Sequence, residues 1–176
     1  DGLVAVTRSD ADGDGDFDLV STQTVTLQND GGRTETTELR TDTGILRAKT
    51  TIASSDDGRN ITRLTDVNGD GVTDAVWSKA VGNDGWTTEQ SGRFSATGAL
   101  QSASQTVVSD DGLFATESWD RDGDGMQERR SFRETVLNAN GSVTTTTTGK
   151  GANDAVYARS VVTVSDDGLV SVRTDD

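Results

Sequence analysis

One motif returns at a near-constant interval, and that return limits what the chain can become. Asp-Gly-Leu at residues 1–3, Asp57-Gly58-Arg59, Asp111-Gly112-Leu113 and Asp167-Gly168-Leu169 place glycines at 2, 58, 112 and 168, spaced by 56, 54 and 56 residues. An aspartate stands eight residues after each glycine: Asp10, Asp66, Asp120 and Asp176. Self-similarity at such a period is the mark of units that stack on their neighbours instead of closing one globular core. The phase divides the chain into repeat 1 (2–57), repeat 2 (58–111), repeat 3 (112–167) and the first strand of a truncated fourth repeat (168–176). The expectation is a segment of a longer array.

Inside a repeat the local signals are strand and turn. Thr occurs 27 times and is joined by Val, and both favour a pleated surface. In repeat 1 the runs 17–28, 33–41, 45–54 and 60–65 are predicted strands. Asn29-Asp30-Gly31-Gly32, Asp42-Thr43-Gly44 and Asp56-Asp57-Gly58 separate them, as Asx/Gly clusters do in hairpins. Asn83-Asp84-Gly85, Asn140-Gly141 and Thr97-Gly98 recur at matching places. No apolar spacing of 3.6 residues supports a helix. The predicted fold is all-β: an elongated antiparallel β-meander of tandem repeats, about four strands per ~55-residue repeat, with calcium loops between repeats. The third strand of each repeat alternates most clearly. Leu46, Ala48, Thr50 and Ile52 are predicted to share a face, as are Leu100, Ser102, Ser104, Thr106 and Val108, and Val156, Ala158, Ser160, Val162 and Val164. A core this thin needs help from neighbours or from a ligand.

The ligand is written into three loops. Residues 10–18 read Asp-Ala-Asp-Gly-Asp-Gly-Asp-Phe-Asp, residues 66–74 Asp-Val-Asn-Gly-Asp-Gly-Val-Thr-Asp, and residues 120–128 Asp-Arg-Asp-Gly-Asp-Gly-Met-Gln-Glu. All fit D-x-[DN]-G-D-G-x-x-[DE]. A hard cation takes about six to eight oxygens, and oxygens at positions 1, 3 and 5 converge when the chain wraps tightly. Gly at position 6 permits the bend, the position-7 carbonyl turns inward, and the acid at position 9 closes the ring. The predicted ligands are the side chains of Asp10, Asp12, Asp14 and Asp18, of Asp66, Asn68, Asp70 and Asp74, and of Asp120, Asp122, Asp124 and Glu128. The carbonyls of Asp16, Val72 and Met126 join them. Mg²⁺ demands stricter octahedra with retained water, so loops of this density predict Ca²⁺, about three per chain.

Composition agrees with a cation binder. Lys plus Arg number 16 against 30 Asp plus Glu, for a net charge of -14, and twelve of those acids lie in the three loops. Three bound Ca²⁺ would bring -14 to -8. Such a balance disfavours nucleic acid as a partner. No apolar run approaches the ~20 residues of a membrane span, so no membrane insertion is expected. With no Cys and no His, disulfides, a Cys-ligated zinc, a serine–histidine triad and an imidazole base are all excluded. An enzyme is not expected. A carboxylate pair suits glycoside hydrolysis, but every dense acid cluster is better explained by metal.

An EF-hand needs Glu at position 12 between helices, whereas position 12 is Ser21, Trp77 and Ser131. The loop followed by Asp18-Leu19-Val20 and Asp74-Ala75-Val76 instead resembles the calcium loops of FG-GAP and VCBS-type repeats, in which the same motif runs into a strand. The likeness covers about 12 residues per repeat. The third copy departs at Met126, Glu128 and Arg129-Arg130, which predicts a weaker site there. The ~55-residue Asp-Gly-rich unit is similar to calcium-binding tandem repeats of large secreted bacterial surface proteins and adhesins. That resemblance implies an extracellular or cell-surface bacterial setting, a spacer role, and neighbouring repeats of the same parent chain as partners. An alternative is a β-propeller-like or glycan-binding module with structural Ca²⁺, since four strands per repeat also suit a propeller blade.

Other features have plainer readings. The Asp-Asp-Gly turns cap their own backbone. The runs Thr34–Thr37 and Thr144–Thr148 reflect strand propensity more than an ice- or glycan-binding array. Trp77, Trp86 and Trp119 are expected to pack against neighbouring strands, and Arg129, Arg130 and Arg133 to form a solvated face.

Overall fold

The computed structural model describes residues 3–176; the Asp1-Gly2 start of the first repeat lies outside them. Thirteen strands follow, and no helix occurs among the described residues. They are β1 (Val4–Ser9), β2 (Leu19–Leu27), β3 (Arg33–Thr41), β4 (Leu46–Ser54), β5 (Asn60–Asp66), β6 (Ala75–Val81), β7 (Thr87–Phe94), β8 (Leu100–Val108), β9 (Phe114–Asp120), β10 (Arg129–Leu137), β11 (Val143–Gly151), β12 (Val156–Val164) and β13 (Ser171–Asp175). They form one open antiparallel sheet in strict chain order. Short Asx/Gly turns dictate most of this, because a connection of four to six residues returns the chain beside itself, and the three acidic loops make the same return across eight or nine residues.

Contacts divide the chain into two units, Asp1–Ala80 with Ser91–Gln101, and Val81–Gln90 with Ser102–Asp176. In the first, unbroken ladders join β1 to β2, β2 to β3, β3 to β4, β4 to β5 and β5 to β6. In the second they join β8 to β9 and continue from β9 through β13. A propeller would divide the strands into separate four-stranded blades. The β4–β5 and β8–β9 ladders run straight through the places where blades would part.

The core is thinner than its pattern suggests. Ala115 is the one buried apolar side chain among the described residues, and no large side chain is fully buried there. The expected alternation of the third strands also fails at one end. A β-bulge sets Leu46 opposite Arg40 but Ala48 opposite Leu39, so Leu46 and Ala48 do not share a face. A second bulge sets Val156 opposite Lys150 and Ala158 opposite Gly149. The extra residue shifts the two-residue period by one. Along β4 both faces are half-buried, because the strands lie in one sheet and neighbouring side chains do the covering.

Side-chain pairs along and between the strands take the place of a core. Glu38 on β3 meets both Arg40 at 2.9 Å and Lys49 on β4 at 3.2 Å. These cations hold its carboxyl below the ordinary glutamate value, Arg40 through the larger share. Arg63 lies over the Trp77 ring at 5.8 Å, Trp86 packs on Phe114 at 5.9 Å, and Lys150 lies over Phe132 at 5.1 Å. Arg130 pairs with Asp154 at 2.6 Å. Thr hydroxyls bridge strands at Thr135–Thr145 and Thr144–Thr163, 3.3 and 3.1 Å apart. Each such pair contributes about 0.2–1 kcal/mol, so the sheet rests on many small terms.

Candidate metal centre

β1, β5 and β9 each run into one of the acidic loops, and β2, β6 and β10 lead out of them. The same bond closes all three: the position-9 N–H of Asp18, Asp74 and Glu128 donates to the carbonyl of Ser9, Thr65 and Trp119 at 2.9, 2.8 and 3.0 Å. Nine residues thus become a tight hairpin connection with its acids gathered at a sheet margin.

The position-1 aspartate is the hub of each loop. Its Oδ1 accepts the position-4 glycine N–H, from Gly13 to Asp10, Gly69 to Asp66 and Gly123 to Asp120, each at 2.6 Å. Its Oδ2 accepts the position-6 glycine N–H, from Gly15, Gly71 and Gly125, at 3.0, 2.9 and 2.9 Å. Both glycines are left-handed in every loop, for example Gly69 at φ +76° and Gly71 at +86°, and only this backbone aims two N–H groups at one carboxylate. Asp66 and Asp120 are 7% and 6% exposed, more buried than any apolar side chain among the described residues. The N–H groups of Gly13 and Gly15 hold the Asp10 carboxyl below its ordinary value. At Asp66 burial pushes upward, and the bonds from Gly71 and Gly69 outweigh it.

The remaining positions repeat as faithfully. At position 9, Asp18, Asp74 and Glu128 accept the position-2 N–H of Ala11, Val67 and Arg121 at 2.6, 2.7 and 2.7 Å. At position 3, Asp12, Asn68 and Asp122 accept from the N–H of Asp14, Asp70 and Asp124. At position 5, Asp14, Asp70 and Asp124 accept from the N–H of Asp16, Val72 and Met126, which pins the position-7 backbone against the loop. A carboxylate has about four lone-pair sites, so an acid that caps the loop still has capacity for a cation.

The loops gather their acids unequally. In the third, one oxygen each from Asp120, Asp122, Asp124 and Glu128 lies within 4.8 Å of the others. In the first, Asp10, Asp12 and Asp18 do so, and Asp14 falls outside the group. In the second, Asp66, Asp70 and Asp74 form no such group, and the Asn68 amide donates to Asp70 Oδ2 at 3.1 Å. The loop expected to be weakest is therefore the one that assembles four acids. Glu128 carries one more methylene than Asp18 or Asp74 and still reaches both the loop N–H and the cluster. These acid clusters can hold a metal ion.

Two contributors escaped the sequence reading: the position-4 glycine and the position-2 N–H. The first had a visible signal, since Gly13, Gly69 and Gly123 stand at the same place in all three loops.

The Asp-Asp-Gly turns have different chemistry. Asp57, Asp111 and Asp167 accept the hydroxyl of Ser55, Ser109 and Ser165, each at 2.6 Å, and the N–H two residues ahead, each at 3.0 Å. In a meander these turns lie one strand length from the acidic loops.

No family model, curated protein or solved structure matches the chain.

Proposed function

We propose that this chain is a calcium-dependent structural segment, a non-enzymatic spacer in a large secreted bacterial surface protein or adhesin. The observation that carries the reading is a coincidence. Three identically capped acidic loops stand in a sheet whose described residues bury a single apolar side chain. A sheet with so little hydrophobic free energy gains most from a ligand that binds only the folded state. Each site would contribute roughly 2.7 kcal/mol once free Ca²⁺ exceeds its Kd about a hundredfold.

In this reading the position-1, -3, -5 and -9 side chains and the position-7 carbonyl of each loop hold one Ca²⁺, about three per chain. The cation cancels repulsion among acids that the backbone has already drawn together. In a calcium-poor cytosol the loops repel and the chain stays loose; in a calcium-rich extracellular medium it folds and stiffens. The likeness of the loops to FG-GAP and VCBS-type calcium loops supports this setting, and the net charge of -14 supports neighbouring repeats over nucleic acid as partners.

Circular dichroism and thermal melting in excess chelator and in millimolar Ca²⁺ test the proposal. A large calcium-dependent rise in Tm, with calorimetric stoichiometry near three, is expected. Identical spectra and melting in the two conditions would overturn it.

A further inference from the structure

The second loop differs from the others at position 3, where Asn68 stands in place of Asp12 and Asp122 and is followed by Gly69. Asn-Gly is the dipeptide in which a backbone nitrogen most readily attacks the preceding side-chain carbonyl, because glycine has no Cβ to obstruct the approach. The only other Asn-Gly in the chain is Asn140-Gly141. We propose that Asn68 is a modification site: its deamidation to aspartate, gated by opening of the loop, completes the acid set of the second loop. The consequence for metal binding rests on the calcium reading above, whereas the gating does not.

The chemistry needs only water. The Gly69 nitrogen gives up its proton and bonds to Asn68 Cγ, the Cγ–Nδ2 bond breaks, and ammonia leaves with the proton. Water then opens the five-membered imide. Cleavage at Cγ–N yields aspartate, and cleavage at the backbone carbonyl yields isoaspartate. One water enters and one ammonia departs, with no change of oxidation state.

The folded loop blocks the first step. The Gly69 N–H is donated to Asp66 Oδ1 at 2.6 Å, so that hydrogen bond must break before the backbone can turn the nitrogen onto Cγ. Asn68 Oδ1 accepts from Asp70 N–H at 2.9 Å, and its amide donates back to Asp70 Oδ2 at 3.1 Å. Gly69 is also backed against β4: a methyl group there would lie 2.2 Å from the Leu46 carbonyl oxygen. Asn140-Gly141, exposed like Asn68, is locked in its own turn: Gly141 N–H is on the Asn138 carbonyl at 2.9 Å, Asn140 Oδ1 accepts from the Ser142 N–H and hydroxyl at 3.1 and 2.7 Å, and Asp166 backs the glycine. It lies outside the acidic loops and so serves as a reference for opening that is not local to the second loop. Aspartate at 68 is the residue that loops one and three carry at this position. It removes the amide donor that ties Asp70 and adds the missing carboxylate.

The test follows both asparagines by peptide mapping of the whole chain, with aspartate and isoaspartate resolved by fragmentation. Samples are incubated at mildly alkaline pH in Ca²⁺, in chelator and in urea. Asn140 should accelerate on calcium removal only as far as the sheet around it loosens, and a rise equal to that of Asn68 would overturn gating by the second loop. Asn68 should convert roughly tenfold or more faster in chelator than in Ca²⁺, as local opening would allow, and should match Asn140 in urea. Calorimetry on the same samples separates the two ideas. Absence of Ca²⁺ binding would defeat the calcium reading alone, and the gating would then be judged by native buffer against urea. Equal Asn68 rates in Ca²⁺ and chelator despite bound Ca²⁺, or equal rates in native buffer and urea, would overturn the gating. The Asn68→Asp variant should bind Ca²⁺ at the second loop on the order of tenfold more tightly, and unchanged affinity would overturn the completion of the site.

Discussion

The carboxyl group of Asp56 occupies the space that a side chain on Gly31 would need: a methyl group there would fall 2.6 Å from Asp56 Cγ. The two residues belong to successive turns at one margin of the sheet. The contact recurs between Gly85 and Asp110 and between Gly141 and Asp166, at 2.4 and 2.5 Å. It gives the first aspartate of each Asp-Asp-Gly turn a packing role distinct from the capping role of the second.

Gly31, Gly85 and Gly141 also lie at φ +86°, +82° and +81°, so substitution there meets two penalties. Gly31→Ala should cost about 1–2 kcal/mol from the left-handed backbone alone, plus the displacement of Asp56. Thermal melting of Gly31→Ala in the Asp56→Gly background separates them, since Asp56 Cβ itself would lie 2.9 Å from the added methyl. The second change should recover the steric part and leave the backbone part. Equal losses in both backgrounds would show that Asp56 yields freely.

Acids at positions 1 and 3 of the loops should behave differently. Asp120→Ala leaves the N–H groups of Gly123 and Gly125 without their acceptor in a buried place, and should cost about 1–3 kcal/mol even in chelator. Asp122 is exposed and accepts one long bond of 3.2 Å, so Asp122→Ala should change melting little in chelator and lower it in Ca²⁺. Comparable losses for both variants in chelator would contradict the assignment of position 1 as the structural hub.

On β11, Gly149 underlies the Tyr157 ring, where a methyl group would lie 2.7 Å from its nearest atom. Arg129 covers the ring at 5.4 Å. Gly149→Ala should destabilise by roughly 1–3 kcal/mol, as overpacking does, and Tyr157→Ala should restore the loss in the double variant. Arg129→Ala should cost about 0.5–1 kcal/mol, the worth of an exposed cation–ring contact. Non-additivity in a double-mutant cycle is the diagnostic.

Acid should loosen the fold even without metal. Asp57, Asp111 and Asp167 are held below the ordinary value of 3.8, first by the serine hydroxyls and then by the N–H bonds. A depressed folded value means that their contribution is complete above the unfolded value and is lost as pH falls through the folded one. Tm in chelator should therefore hold down to about pH 4 and then drop. The Ser55→Ala, Ser109→Ala and Ser165→Ala triple variant should show a smaller drop over that range.

Much of the fold was legible because its signals are local. Arg33–Thr41 is a strand in both the reading and the structure, and Leu46–Ser54 and Asn60–Asp66 differ from prediction by one residue at one end. The bulges that separate Leu46 from Ala48 and Val156 from Ala158 were not legible, since alternation carries no mark of where an extra residue will be accommodated. Nor was the order among the loops. Glu128 reads as a departure from the motif, yet its longer side chain closes the largest acid group.

By itself the sequence determined the repeat, the strand-turn alternation and the three nine-residue loops, because propensity, glycine conformation and Asx capping act between residues close in the chain. Tertiary structure decided which acids meet, which aspartates are buried and which glycines must stay bare. Asp56 over Gly31 and the Leu46 carbonyl behind Gly69 depend on the register of strands joined through separate turns. Only a formed hydrogen-bond ladder brings such residues within van der Waals reach.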